Sequence, residues 1–173
     1  GWWEDVTINW IYGLYNSMIS RDSVLRTIVG YHDNETVFVT STGYISRAMY
    51  NLYPENKNIF YMQGSMGLAP CIGLGIAANT DKEIVVISGD AALLMHLGIT
   101  HTIVEQKLNN LFIYVLDNGC HESVGGFKCA NLNRSYKGIN KIFKISKDGK
   151  SDRVGLDCFE NTKQVKELFW NRY

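Results

Sequence analysis

Residues Val85 to Gly98 read VVISGDAALLMHLG, and the reading of this stretch decides the fold. Val85, Val86 and Ile87 run without polar alternation into Gly89 and Asp90, after which apolar residues recur at helical spacing. A strand with no polar face must be covered on both sides, which is the condition of a parallel sheet lined by helices. In such sheets ligands sit beyond the carboxyl ends of the strands, which is where Asp90 stands.

The same alternation extends in both directions. SRDSVLRTIVGYH, from Ser20, has a capping serine and then Val24, Leu25 and Ile28 on one side, which predicts a short amphipathic helix. Strand ETVFVT leads into STG, then helix SRAMYNL, strand NIFYMQ, the turn GSMG and the small-residue helix GLAPCIGLGIAAN. Beyond EIVVIS, one helix is expected over AALLMHLGITHTIVEQ. It is followed by strand LFIYVL, a glycine-rich loop through NGCHESVGG, strand KIFKIS and a last helix TKQVKELFWNR. The expected fold class is α/β: a doubly wound, mainly parallel sheet flanked by helices.

With 173 residues the chain has the length of one ordinary domain. Residues 1–19, with Trp2, Trp3, Trp10, Tyr12 and Tyr15, read as an aromatic arm, and 20–173 as the domain proper. Lys and Arg balance Asp and Glu at 17 each, which gives no electrostatic case for nucleic acid or an anionic membrane. Cys71, Cys120, Cys129 and Cys158 show no CxxC spacing, and no secretory signal or membrane-length apolar run is present, so a reduced cytoplasm is the expected location.

Four strand-end loops should converge: Ser41 to Gly43, Gly64 to Gly67, Gly89 to Ala91 and Asp117 to Cys120. Glycines allow close backbone approach, hydroxyls and helix amides donate to phosphate, and Asp90 with Asn118 offers hard oxygens to a small divalent cation. Asp90 taken alone has a second reading as a helix cap, and Asn118 as a turn former. Gly73-Leu-Gly75-Ile-Ala-Ala78 matches the GxGxxA dinucleotide fingerprint, but it lies inside a helical run rather than at the turn after a strand. These small residues are expected to let the helix pack close to the sheet. His96 and His101, five apart, are one step wrong for a shared helical face and read as structural.

Gly89-Asp90-Ala91 with Asn118 twenty-eight positions later, GSMG before it, and Thr42-Gly43 together resemble the diphosphate-binding domain of thiamine diphosphate enzymes. TSTGYISRAMY, YMQGSMGLA and NGCHESVGG narrow the resemblance to phosphonopyruvate decarboxylases, with sulfopyruvate decarboxylase subunits as near relatives. The resemblance implies the thiamin diphosphate-binding fold, and thiamine diphosphate and Mg²⁺ as cofactors. Asp90, Asn118 and the Cys120 carbonyl would hold the metal. Thr42, Gly43, Ser65, Gly89, Ala91 and Ala92 would lie on the cofactor, with the Gly64 carbonyl at its aminopyrimidine and Met66 as the wedge that bends it. His121 and Ser123 would face the substrate.

The implied reaction converts phosphonopyruvate to phosphonoacetaldehyde and CO2. The alternatives are another 2-oxoacid decarboxylase, sulfopyruvate decarboxylase among them, and a degenerate cofactor-binding module kept for assembly. The glutamate that activates the cofactor belongs, in such enzymes, to a separate pyrimidine-binding domain. This chain alone is therefore expected to be an incomplete site, either the C-terminal half of a longer polypeptide or one of two subunits, within a dimer or tetramer. Three positions depart from the pattern: Ala91 for a glycine, Asp117 for an asparagine, and Phe127-Lys-Cys129 after the VGG loop. At 91 a left-handed backbone would be costly for alanine.

Overall fold

The computed structural model describes residues 18–132 and 135–170. The aromatic residues of the expected arm lie outside this set. From Ser20, whose side chain accepts from the Ser23 amide as a helix cap, the order is α1 (Arg21–Tyr31), β1 (Val37–Thr40), α2 (Tyr44–Leu52) and β2 (Ile59–Tyr61). Then come α3 (Ala69–Ala77), β3 (Ile84–Gly89), α4 (Asp90–Met95), α5 (Ile99–Gln106) and β4 (Leu111–Asp117). A small hairpin of β5 (Cys120–His121) and β6 (Phe127–Lys128) precedes β7 (Lys141–Lys144) and α6 (Cys158–Trp170).

The five-stranded sheet has the order β2-β1-β3-β4-β7 with every pair parallel, the doubly wound order in which the chain reverses direction between β1 and β3. Alternate residues of each central strand enter opposite cores. Phe38, Val85, Ile87 and Leu116 pack with Leu25, Ile28 and Met49 of α1 and α2. Val37, Val39, Val86 and Ile113 pack with Ala69 and Ala77 of α3 and Val165 of α6. Both faces are thus covered, as the unbroken apolar run of β3 requires.

Three expectations are corrected. The single helix over AALLMHLGITHTIVEQ is two, interrupted at His96, Leu97 and Gly98 by turns in which His96 N–H donates to Leu93 and Ile99 N–H to His96. The GSMG turn docks at this point: a Cβ on Gly67 would lie 2.6 Å from the Ala92 carbonyl and from the His96 ring. The last helix begins at Cys158, four residues earlier than its apolar pattern shows, because Asp157 accepts the Glu160 amide at 2.8 Å. Finally, the mixed charges of SKDGKSDR predict a solvated loop; most of it is exposed, but it is also tied to α1 and to Glu122. Asp148 accepts the Arg21 amide, Ser151 accepts from the Arg21 guanidinium at 2.8 Å, and Gly149 N–H donates to Glu122.

Gly73 behaves as expected, since a Cβ there would stand 2.2 Å from Val86 Cγ2 of β3. His96, just before α5, and His101, within it, are both exposed. No helix among the described residues is long and apolar enough to cross a membrane.

Candidate active site

The carboxyl ends of β1, β3 and β4 open into one cleft, lined by Ser41, Thr42, Met66, Asp90, Asn118 and Ser123 among others. Its floor is set by register: Gly89 pairs with Leu116, so Asp90 and Asn118 leave neighbouring strands at nearly the same height. Ser46 anchors the β1 end, its hydroxyl donating to the Ser41 carbonyl at 2.8 Å, and the buried Ser41 hydroxyl accepts the Gly89 amide. Gly43, at φ 101, turns the chain into α2 and leaves room for Ser123, whose Oγ would be 2.9 Å from a Cβ there.

Asp90 is 3 % exposed and accepts the Gly119 amide at 2.9 Å and the Cys129 thiol at 3.0 Å. Burial pushes its carboxyl above the usual carboxylate range, against the pull of the Cys129 and Ala91 donors and with help from the neighbouring Asp117 charge. Asp117, also buried, pairs with Lys144 and shares the Gly119 amide. Asn118 Oδ1 accepts the Cys120 amide at 3.1 Å, while its Nδ2 donates to Glu122 at 2.8 Å, so its oxygen is turned toward the loop it begins. Burial likewise pushes the Cys129 thiol up to about 12, and it remains a donor to Asp90.

A buried carboxylate held to one amide and one thiol, with a second carboxylate beside it, is an electrostatic arrangement that a cation relieves. The oxygens on offer, from Asp90, Asn118 and the Cys120 carbonyl, are the hard donors that suit Mg²⁺. Ala91 lies in α4, and the only described non-glycine residues at positive φ are Ser65 and Lys107. The position therefore needs no glycine. Of the remaining expected residues, Ala92, Gly89, Met66 and His121 line this cleft, Gly43 lines an adjoining one, and Gly64 and Ser65 are exposed on the loop before Met66.

From its sequence neighbours Cys129 reads as a bystander beside the loop, and the structure corrects this: its thiol donates to the central carboxylate. Arg21, which lines the cleft from α1, is an addition that no motif carries, and Glu122, which orients Asn118, stands within NGCHESVGG without an expected role. For Glu122 the i+4 spacing from Asn118 was the available signal.

The sequence profile of the family described as thiamine pyrophosphate enzyme, C-terminal TPP binding domain, matches residues 39–151, well over half of the chain. The chain belongs to this family. The matched span begins in β1 and holds all four strand-end loops of the cleft. Sulfopyruvate decarboxylase subunit beta of Methanothermobacter thermautotrophicus is 38% identical over 62% of this chain and 57% of its own length. Phosphonopyruvate decarboxylase of Streptomyces hygroscopicus is 43% identical over 62% of this chain and 26% of its own length. The chain thus spans little more than half of one relative and about a quarter of the other. A Mycobacterium smegmatis crystal structure, provisionally assigned as a thiamin diphosphate-dependent enzyme, superposes with a TM-score of 0.58 at 15% identity, over 75% of this chain and 32% of that one. At that identity the likeness is one of fold.

Proposed function

We propose that this chain is the diphosphate-side domain, over 20–173, of a thiamine diphosphate- and Mg²⁺-dependent decarboxylase acting on phosphonopyruvate. The observation that carries the reading is the buried Asp90 carboxylate beside Asn118 at the ends of paired strands. In this reading Asp90, the Asn118 side-chain oxygen and the Cys120 carbonyl hold the metal. Thr42, Gly43, Gly89 and the amides of Ala91 and Ala92 hold the diphosphate, with Ser65 beside it. The Gly64 carbonyl accepts from the aminopyrimidine, and Met66 supports the cofactor's bend. When bound, thiamine diphosphate accepts the electron pair left by departing CO2.

His121 and Ser123 act on the substrate side, His121 delivering a proton to the carbon that lost CO2 and Ser123 orienting the substrate. The activating glutamate comes from a pyrimidine-binding domain, carried earlier in a longer polypeptide or by another subunit of a cytoplasmic dimer or tetramer. Sulfopyruvate is the second reading, favoured by the names of several relatives; the HESVGG loop supports the phosphonate enzyme. The degenerate module loses its one support, because Ala91 sits in unstrained helical backbone.

The test is titration calorimetry of the complete enzyme with thiamine diphosphate and Mg²⁺, wild type against Asp90→Ala, followed by a decarboxylation assay. Loss of a metal ligand should weaken binding by more than about a hundredfold, beyond what loss of an outer partner costs. Undiminished binding in Asp90→Ala would refute the reading.

A further inference from the structure

A second cleft of about 480 Å³ adjoins the first and shares Thr42, Met66 and Ser123 with it. Its lining includes Arg47 from α2 and Arg153 from the loop before α6. Arg47 is partly buried, its guanidinium 5.3 Å from the centre of the Tyr44 ring and its Nη1 in a long 3.5 Å contact with the Ser151 carbonyl. The ring of Tyr44 also lies 5.8 Å from the guanidinium of Arg21, whose Nη2 donates to the Ser151 hydroxyl. Tyr44 and Ser151 thus hold two guanidiniums in place. Among the described residues, no carboxylate lies within ion-pair distance of Arg47 or Arg153.

The two clefts have opposite charge requirements. Around Asp90 and Asp117 the fixed charge is negative. Around Arg47 and Arg153 it is positive and unmatched, in a chain whose total charge is zero. We infer that the Arg47–Arg153 cleft is the subsite for the retained acidic group of the substrate, a tetrahedral phosphonate or sulfonate, with Arg47 as the specificity-determining residue. The inference rests on the decarboxylase reading above.

The arginines suit the retained acid and not the carboxylate that leaves. An arginine paired with the leaving carboxylate would stabilise a charge that the transition state must lose, and so would oppose the reaction. Met66 and Ser123 are also shared by both clefts, so a molecule reacting beside them has Arg47 and Arg153 in the lining of the adjoining one. The planar guanidinium fork suits two oxygens of a tetrahedral oxyanion.

The experiment measures kcat and KM of the complete, cofactor-loaded enzyme for phosphonopyruvate, sulfopyruvate and pyruvate, in wild type, Arg47→Gln, Arg47→Lys and Arg153→Gln. For the acidic substrate that is turned over, Arg47→Gln should raise KM by about tenfold to a hundredfold, the value of a charge-assisted hydrogen bond. The loss in kcat/KM should be at least ten times smaller on pyruvate, and Arg47→Lys should recover part of it. Calorimetry with thiamine diphosphate and thermal melting show whether each variant is folded and loaded. If Arg47→Gln does not fold, Arg153→Gln on the exposed loop decides by the same comparison. Equal losses on acidic substrate and pyruvate in the folded variants would overturn the subsite while leaving the decarboxylase reading intact. Failure of the loaded wild type to decarboxylate any of the three 2-oxoacids would overturn both.

Discussion

Gly43 is where one missing methyl group positions two functional loops. Its φ of 101 and ψ of −145 lie in a region that side chains avoid, and the space a Cβ would fill is taken by Ser123 Oγ. Gly43→Ala should therefore cost about 1–3 kcal/mol, from backbone strain and the displaced hydroxyl together. Urea denaturation measures that loss. A cost under about 0.5 kcal/mol would show that the turn relaxes, as ordinary surface changes do. The strand-end position of Gly43 was legible in STGY, since a glycine after a buried strand marks a turn. Its contact with Ser123 was not, because eighty residues separate the two. For the same reason the sequence does not mark Cys129: its neighbours give no reason to expect a buried carboxylate beside it.

At the scale of elements, α3 holds two glycines whose substitution should act with opposite sign. Gly75 is exposed and a Cβ there meets nothing within 4 Å, whereas a Cβ on Gly73 would stand only 2.2 Å from Val86 Cγ2. Gly75→Ala should stabilise by up to about 1 kcal/mol through helix propensity. In Gly73→Ala that gain is outweighed by overpacking against a central strand, which costs about 1–3 kcal/mol and more where backbone must shift. Thermal melting of the two variants gives the comparison, and equal shifts would contradict the close seating of α3 on β3. The GLGIAA run thus spaces a helix on a sheet, as its place inside a helical run indicated. The break between α4 and α5 was hidden, because the apolar spacing of LLMHLGI continues through it and only the docked GSMG turn enforces it.

Taken as a whole, the molecule is closed by contacts that cross more than a hundred residues. Ile19 bridges to Ile145, Arg21 reaches the 148–151 loop, and Asn161 of α6 completes the edge strand β2. Asn161 is fully buried, accepting the Tyr61 amide and donating to the Ile59 carbonyl, each at 2.8 Å. Asn161→Ala strands both backbone groups and should cost about 2–5 kcal/mol, a loss readable by chemical denaturation. A loss below about 1 kcal/mol would mean that water replaces the amide. Sequence by itself determined the alternation of strand and helix, the burial of the sheet on both faces and the strand-end placement of Asp90 and Asn118. Each of these follows from local periodicity and from residues that end a strand in one way. Tertiary structure alone decided which distant side chains share that edge: Cys129 on Asp90, Lys144 on Asp117, Arg21 and Arg47 about Tyr44. Those partners are set by how the layers pack, and nothing in the chain near them records it.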